Sequence, residues 1–291
     1  MNLIVGATGM LGGELCRLFA AQGRRVRALT RASSDPAKVE GLKRAGIEIV
    51  GGDLKDRPSL EAACRGATLV VSTASSTIAR EQHDSIESVD HQGQCDLVEI
   101  AERAGVRRFI LISFPNVDVD FPLQTAKRAV EQRLRSGRMS YTILQPTFFM
   151  EIWLSPALGF DVEHATARIY GAGQNRISWI SFRDVAKFAA ASADSTQVVN
   201  ATVKLGGPEA LSPLEVVRLA EEATGRSFTV DHVPEEALRA QHAAAADPLQ
   251  RSFAALMLYY ARGDVIEMTE TLSRLPVLPL KSVCEHLGAV A

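Results

Sequence analysis

Gly6-Ala7-Thr8-Gly9-Met10-Leu11-Gly12 is the segment of this 291-residue chain whose residue types and spacing speak first of chemistry. It follows the apolar run Leu3-Ile4-Val5 and precedes a stripe of helical period, Leu11, Leu15, Leu18 and Phe19. Gly6 permits a tight turn out of a strand, Gly9 lets backbone approach a pyrophosphate, and Gly12 lets a helix sit close to a sheet. The amides of Thr8, Gly9, Met10 and Leu11 then stand at a helix N-terminus, whose unpaired N–H groups and positive dipole end attract phosphate. The spacing is G-x-x-G-x-x-G rather than the G-x-G-x-x-G of the dehydrogenase fingerprint, so its place between strand and helix carries the reading. The next strand ends Leu29-Thr30-Arg31, with no carboxylate until Asp35 to receive an adenosine ribose. Arg31 can instead make bidentate, charge-assisted bonds to a 2′-phosphate, with Ser33 or Ser34 as further donors, unless it is merely a solvated loop residue. NADP(H) is therefore expected in preference to NAD(H). Asp53-Leu54, after the third strand, would meet the adenine, although a turn aspartate fits the same position. Thr73 and Ala74 end the fourth strand, at the crevice where ligands sit in such sheets.

Other chemistries find little support. The six histidines (His83, His91, His164, His232, His242, His286) show no metal-ligand spacing, so no metal site is expected. Cys16, Cys64, Cys95 and Cys284 contain no C-x-x-C pair and read as reduced, packed thiols. No G-x-S-x-G elbow is present. Lys and Arg total 32 against 34 Asp and Glu, and aromatics make up only 6%. That balance argues against nucleic acid as the main partner. With 46% apolar and 23% charged residues the composition is globular. No apolar run reaches membrane-spanning length, and the first strand begins too early for a signal peptide. A cytoplasmic protein, monomer or homodimer, acting on a small-molecule substrate is expected.

The elements that must position these residues alternate regularly. Strand-like runs at Leu3–Val5, Val26–Leu29, Ile47–Val50, Thr68–Val71, Phe109–Ile112 and Tyr141–Leu144 are separated by helical patterns, one of them running from Ser85 to Ala104. The runs lack polar alternation, as in parallel sheets buried on both faces. The fold class expected is α/β, a Rossmann doubly wound parallel sheet with a smaller α+β C-terminal lobe. Residues 1–150 would form the dinucleotide-binding domain and 151–291 the substrate lobe, with Val198–Leu205 returning to the main sheet. In the lobe, Ile169-Tyr170 and Ile177–Ile180 flank a glycine-rich stretch and suggest a hairpin or a pair of short strands. Ser212-Pro213-Leu214-Glu215 is a capping box, and 235–262 is helical in pattern.

With these features the chain resembles the atypical short-chain dehydrogenase/reductase superfamily, and within it the NmrA-like and isoflavone-reductase-like proteins. The likeness rests on the glycine turn, Arg31, Asp53-Leu54, the segment Ala126-Lys127-Arg128-Ala129-Val130-Glu131, and the run Tyr141 through Pro146 to Glu151. It implies that Ser113, at the superfamily's serine position, and Pro146 border the cofactor. It also implies that Lys127 acts alone at the catalytic position, because Leu123 stands where a Tyr-x-x-x-Lys pair would place the phenol. Lys127 would hold the nicotinamide ribose or give a proton; the bland alternative is a surface lysine paired with Glu131. Phe148, Phe149, Met150 and Trp153 would line an apolar substrate pocket, unless they are lobe core. The expected function is NADPH-dependent reduction of a small, fairly apolar carbonyl, quinone or conjugated compound. The competing expectations are an NADP(H)-sensing regulator without turnover and a cofactor-stabilised assembly factor.

Overall fold

The structure is a computed structural model and describes residues 1–77 and 81–290. In chain order the elements begin β1 (Asn2–Val5), α1 (Met10–Ala21), β2 (Val26–Thr30), α2 (Pro36–Arg44), β3 (Glu48–Gly51), α3 (Arg57–Cys64) and β4 (Leu69–Ser72). A π-helical segment, Ile86–Gly93, leads into α4 (Gln94–Arg103), then β5 (Arg108–Ile112), α5 (Pro122–Ser136) and β6 (Ser140–Pro146). There follow α6 (Met150–Trp153), β7 (Phe160–Asp161), β8 (Thr166–Tyr170), α7 (Phe182–Asp194) and β9 (Ala201–Leu205). The remainder is α8 (Pro213–Thr224), β10 (Thr229–Val233), α9 (Glu235–Ala244), α10 (Pro248–Arg262), α11 (Thr269–Arg274) and α12 (Val283–Gly288).

These elements form two compact units. The first comprises Met1–Phe114, Pro122–Gln145 and Val185–Val203. Its sheet has the order β3-β2-β1-β4-β5-β6-β9, and every strand pair from β3 to β6 is parallel. The order 3-2-1-4-5-6 is the Rossmann arrangement, whose direction reverses between β1 and β4. The seventh strand expected near Val198–Leu205 is present as β9 beside β6. Leu3, Val70, Leu97, Ile100, Phe109, Leu111, Val130 and Ile143 belong to one fully buried cluster. Burying side chains of this kind stabilises by about 1.5–3 kcal/mol each, which explains why the strands show no polar alternation. The helix expected over Ser85–Ala104 has the right extent, but its first eight residues are wound as a π-helix.

The second unit comprises Pro115–Phe121, Pro146–Asp184 and Lys204–Ala291. Its small sheet runs β10-β8-β7, with β8 parallel to β10 and antiparallel to β7. The hairpin expected between Ile169-Tyr170 and Ile177–Ile180 does not form. Gly171 and Gly173 both take positive φ, and the chain leaves the strand there. The N–H of Trp179 then donates to Ile177 O at 3.0 Å, a tight turn that breaks any ladder. Ile177 and Ile180 keep only isolated bridges, to Leu211, Asp264 and Phe149. The capping box at Ser212 is present with Glu215 as its partner. The helical stretch 235–262 is two helices, broken where Asp247 caps α10 by accepting from the Leu249 and Gln250 amides.

The cysteines need one correction. Cys16 and Cys64 are buried, and burial pushes both thiols up to about 12. Cys95 is half-buried, and Cys284, expected to be packed, is exposed at the start of the short helix α12. Thiolate, not thiol, attacks disulfide reagents. In the folded protein Cys284 is expected to react with a thiol reagent within the mixing time, while Cys16 and Cys64 react only on unfolding. Peptide mapping of the labelled native protein checks this, and early labelling of Cys16 or Cys64 would contradict the burial described.

Candidate functional site

The first unit's site begins at the turn between β1 and α1. Gly6 has φ +86°, and a Cβ there would lie 2.5 Å from Thr73 Oγ1 and 2.9 Å from Ala74 N. A Cβ at Gly12 would lie 2.8 Å from the Gly6 carbonyl carbon and closer still to its oxygen. Both glycines are thus required by close backbone approach. Gly9 differs: it is exposed, and a Cβ there meets only Gly6 O, at 3.2 Å. Gly9 caps α1 without a side-chain hydrogen bond, and no acidic residue sits in the first turn. The helix's leading amides are therefore left to a ligand or water. Thr8 is half-buried and Met10 is 43% exposed, whereas the Leu11 side chain is buried and offers its backbone only. Thr73 donates from its hydroxyl to Val5 O at 3.1 Å, fastening the end of β4 to the end of β1. The sheet's reversal point thus has glycine backbone on one side and Thr73-Ala74 on the other.

Arg31, just past β2, lies in a cluster of charges. Its Nη1 donates to Asp84 Oδ2 at 2.7 Å and stands 3.4 Å from Glu81 Oε1. Lys55 donates to the other oxygen of Asp84, and the Ser33 hydroxyl donates to Glu81. Hydrogen bonding to Asp84 raises the Lys55 pKa above the usual lysine value. Ser34 Oγ accepts from the Arg31 amide at 3.0 Å and so shapes the loop. Asp53 makes the turn contact foreseen as its alternative role, accepting from the Lys55 amide at 2.8 Å. Leu54 is buried in the core, packed against Gly93. Lys55, Glu81 and Asp84 were missed in the sequence. Lys55 directly follows Asp53-Leu54 and was open to detection; the two carboxylates were not, because they lie about fifty residues from Arg31 in sequence.

Lys127 is not a surface lysine, and Glu131 is not its partner. Its side chain is 8% exposed, and its Nζ stands 3.5 Å from Asp90 Oδ1. Asp90 is fully buried on the π-helical segment and accepts from both the amide (2.9 Å) and the hydroxyl (2.7 Å) of Ser76. Gln94, four residues on, accepts from the Ser72 hydroxyl at 2.8 Å and donates to Ala74 O at 3.0 Å. The segment therefore ties the loop after β4 to the helix that carries Lys127. Leu123, one turn earlier on α5, is buried. Glu131 serves Ser113 instead, accepting from its hydroxyl at 2.7 Å and from Gln145 at 3.0 Å. Arg128 donates to Ser113 Oγ at 3.0 Å and to Phe114 O at 2.6 Å. The one proton of Ser113 is spent on Glu131, so this hydroxyl can offer a ligand only a lone pair.

In the second unit, Phe148 and Met150 are core residues, while Phe149 and Trp153 are half-buried. Pro146, at the end of β6, is buried. Phe148 packs edge-on to Trp153 at 4.8 Å and against Tyr259 at 4.8 Å; Trp153 stacks on Tyr260 at 5.5 Å. Tyr170 and Trp179 complete the group. Tyr259 donates to the Asp264 carboxylate. Burial, then this contact, raises the phenol's pKa, and burial raises that of Asp264. The tyrosines were not foreseen, since Tyr259-Tyr260 lie more than a hundred residues from Phe148 in sequence. Among the described residues no group of three His, Cys, Asp or Glu could hold a metal, and no helix is long and apolar enough to cross a membrane.

The sequence matches the model of the NmrA-like family over residues 2–273. The chain belongs to this family. The photosystem II assembly factor Ycf39 of Trieres chinensis is 30% identical over 80% of this chain and 72% of its own length. An NAD(P)H azoreductase of Xenophilus azovorans is 29% identical over 78% of this chain and 74% of its own. Among solved structures, an NADPH-dependent quinone oxidoreductase of Escherichia coli, complexed with NADPH, superposes with a TM-score of 0.79. It is 22% identical and covers 100% of this chain and 99% of that one. At that identity the likeness is one of fold.

The NmrA-like chain's glycine turn makes a contrast that stability measurements can read. Gly12→Ala is expected to destabilise by about 2 kcal/mol or more, as overpacking against unyielding backbone does. Gly9→Ala should cost less, about 1 kcal/mol, since its Cβ meets a single backbone oxygen at 3.2 Å rather than pressing into the Gly6 carbonyl. Urea unfolding of the two variants checks the order, and equal losses would contradict it.

Proposed function

We propose that this protein is an NADP(H)-dependent reductase of a small, fairly apolar carbonyl, quinone or conjugated acceptor, working without a Tyr-x-x-x-Lys pair. The observation that carries the reading is the uncapped N-terminus of α1 at the sheet's reversal point, with Arg31 and Lys55 drawn together by one carboxylate past β2. The first fits a pyrophosphate and the second fits a 2′-phosphate. The names of the azoreductase and quinone oxidoreductase relatives support the same class of reaction.

When bound, NADPH would supply hydride. Gly6, Thr8, Gly9, Met10, Leu11 and Gly12 would hold the pyrophosphate through backbone, with Asp53, Leu54, Thr73, Ala74, Ser113 and Pro146 along the rest of the cofactor. Lys127 would hydrogen-bond the nicotinamide ribose or hand a proton to the oxygen or nitrogen that gains negative charge as hydride adds to the acceptor, regaining it from water. Asp90 fixes where that ammonium stands. We assign substrate contact to Phe149 and Trp153, the half-buried members of the run that also contains Phe148 and Met150. A reading as an NADP(H)-binding regulator or assembly factor is favoured by Leu123 at the phenol position and by the name of the Ycf39 relative.

Lys127→Met, made together with Asp90→Asn so that no buried carboxylate is left without its cation, separates the readings, because it removes the ammonium and keeps most of the packing of the stem. With an acceptor that turns over, kcat is expected to fall by about 10²–10⁴, with NADPH Kd changed by less than about threefold. Unchanged kcat would remove Lys127 from the mechanism. Arg31→Asp is expected to narrow or reverse the preference for NADPH over NADH, at a loss of about 1.5–3 kcal/mol in NADPH binding. A variant with undiminished NADPH affinity would place the 2′-phosphate elsewhere.

A further inference from the structure

Two carboxylates that follow β4 in the chain, Glu81 and Asp84, reach the charges past β2, and they differ in kind. The Asp84 side chain is 1% exposed. Its oxygens receive Arg31 at 2.7 Å, Lys55, and the amide of Glu81 at 2.9 Å. Burial alone would raise its pKa; hydrogen bonds from Lys55, the Glu81 amide and Arg31 hold it below the usual carboxylate value instead. Removing a carboxylate so placed would break two ion pairs at once, so Asp84 is a fixed anchor. The Glu81 side chain is 38% exposed and stands 3.4 Å from Arg31 Nη1. An exposed ion pair of that length contributes little. Glu81 also accepts from the Ser33 hydroxyl. Arg31 and Ser33, two of the groups suited to a 2′-phosphate, thus share one replaceable acceptor.

Building on the NADP(H) reading above, we propose that Glu81 is an internal competitor for the 2′-phosphate and so sets the strength of the cofactor preference, while Asp84 holds Arg31 and Lys55 as a cation pair. A carboxylate brings one negative charge; a phosphate monoester brings about −1.5 to −2 at pH 7 and three acceptor oxygens. Exchanging one for the other leaves Arg31 paired and gives Ser33 a stronger acceptor. The displaced Glu81 is already more than a third exposed, so returning it to water costs little. NAD(H) has no group to displace it. Glu81 therefore acts on the binding of NADP(H) alone.

Calorimetric titration of the intact protein with NADP+ and with NAD+ tests this, using wild type, Glu81→Gln and Lys55→Met. Glu81→Gln keeps the size of the side chain, and its thermal midpoint should match wild type because the group is exposed. It is expected to bind NADP+ about three- to tenfold more tightly and NAD+ within about twofold of wild type. Lys55→Met is expected to weaken NADP+ about tenfold and to leave NAD+ nearly unchanged. Unaltered NADP+ affinity in Glu81→Gln, or equal tightening of both nucleotides, overturns the competitor. Equal loss of both nucleotides in Lys55→Met overturns the cation pair. A wild type that binds NADP+ no better than NAD+ overturns instead the reading on which the proposal rests, so the failures are distinguishable.

Discussion

The backbone approach of Gly12 to Gly6 is the constraint on which the rest of the first unit's site depends. A Cβ at Gly12 would press into the Gly6 carbonyl and lie 2.9 Å from Thr73 Oγ1, so no other residue lets α1 start where it does. With α1 there, its uncapped amides open at the point where the strand order reverses, and the end of β4 closes beside them. Moving the helix outward by the width of a methyl group would separate these three features together. The site is thus fixed by a contact between backbones rather than by any reactive side chain.

Asp84, Asp90 and Glu131 are among the carboxylates that the first unit buries, and each is tied to a cation and to neutral donors. Asp84 meets Arg31 and Lys55; Asp90 meets Lys127 and Ser76; Glu131 meets Ser113, Gln145, Arg128 and Arg135. Buried pairs of this sort add little net stability, yet breaking one leaves an uncompensated charge. Their value lies in position. Each fastens a loop at a strand's C-terminal end to a neighbouring element, which is where a ligand of such a sheet is expected.

Much of this was legible in the chain because period and glycine spacing have direct physical causes. Six parallel strands, the returning β9, the Ser212 capping box and the turn at Gly6–Gly12 all follow from local pattern. What stayed hidden depends on distant partners. The π winding of Ile86–Gly93 leaves no mark on hydrophobic period, yet it is the segment that carries Asp90 to Ser76 and Lys127. Glu131 stood as the alternative partner of Lys127 because it lies four residues on, but a helix sequence does not reveal that Ser113 and Gln145 claim it. The hairpin at Ile177–Ile180 failed for the same kind of reason, since Trp179 prefers burial and a bond from its Nε1 to Leu211 O. Exposed Cys284 shows that a cysteine without a C-x-x-C neighbour need not be packed.

The central claim is that these groups serve a reduction and not binding alone. It is tested most directly by following NADPH absorbance when the purified protein is mixed with a panel of quinones, enones and aldehydes. The account predicts oxidation of NADPH by at least one apolar acceptor, much faster than with NADH and dependent on the protein. Tight NADPH binding with no turnover on any acceptor would contradict it and leave a protein that reads its cofactor without spending it.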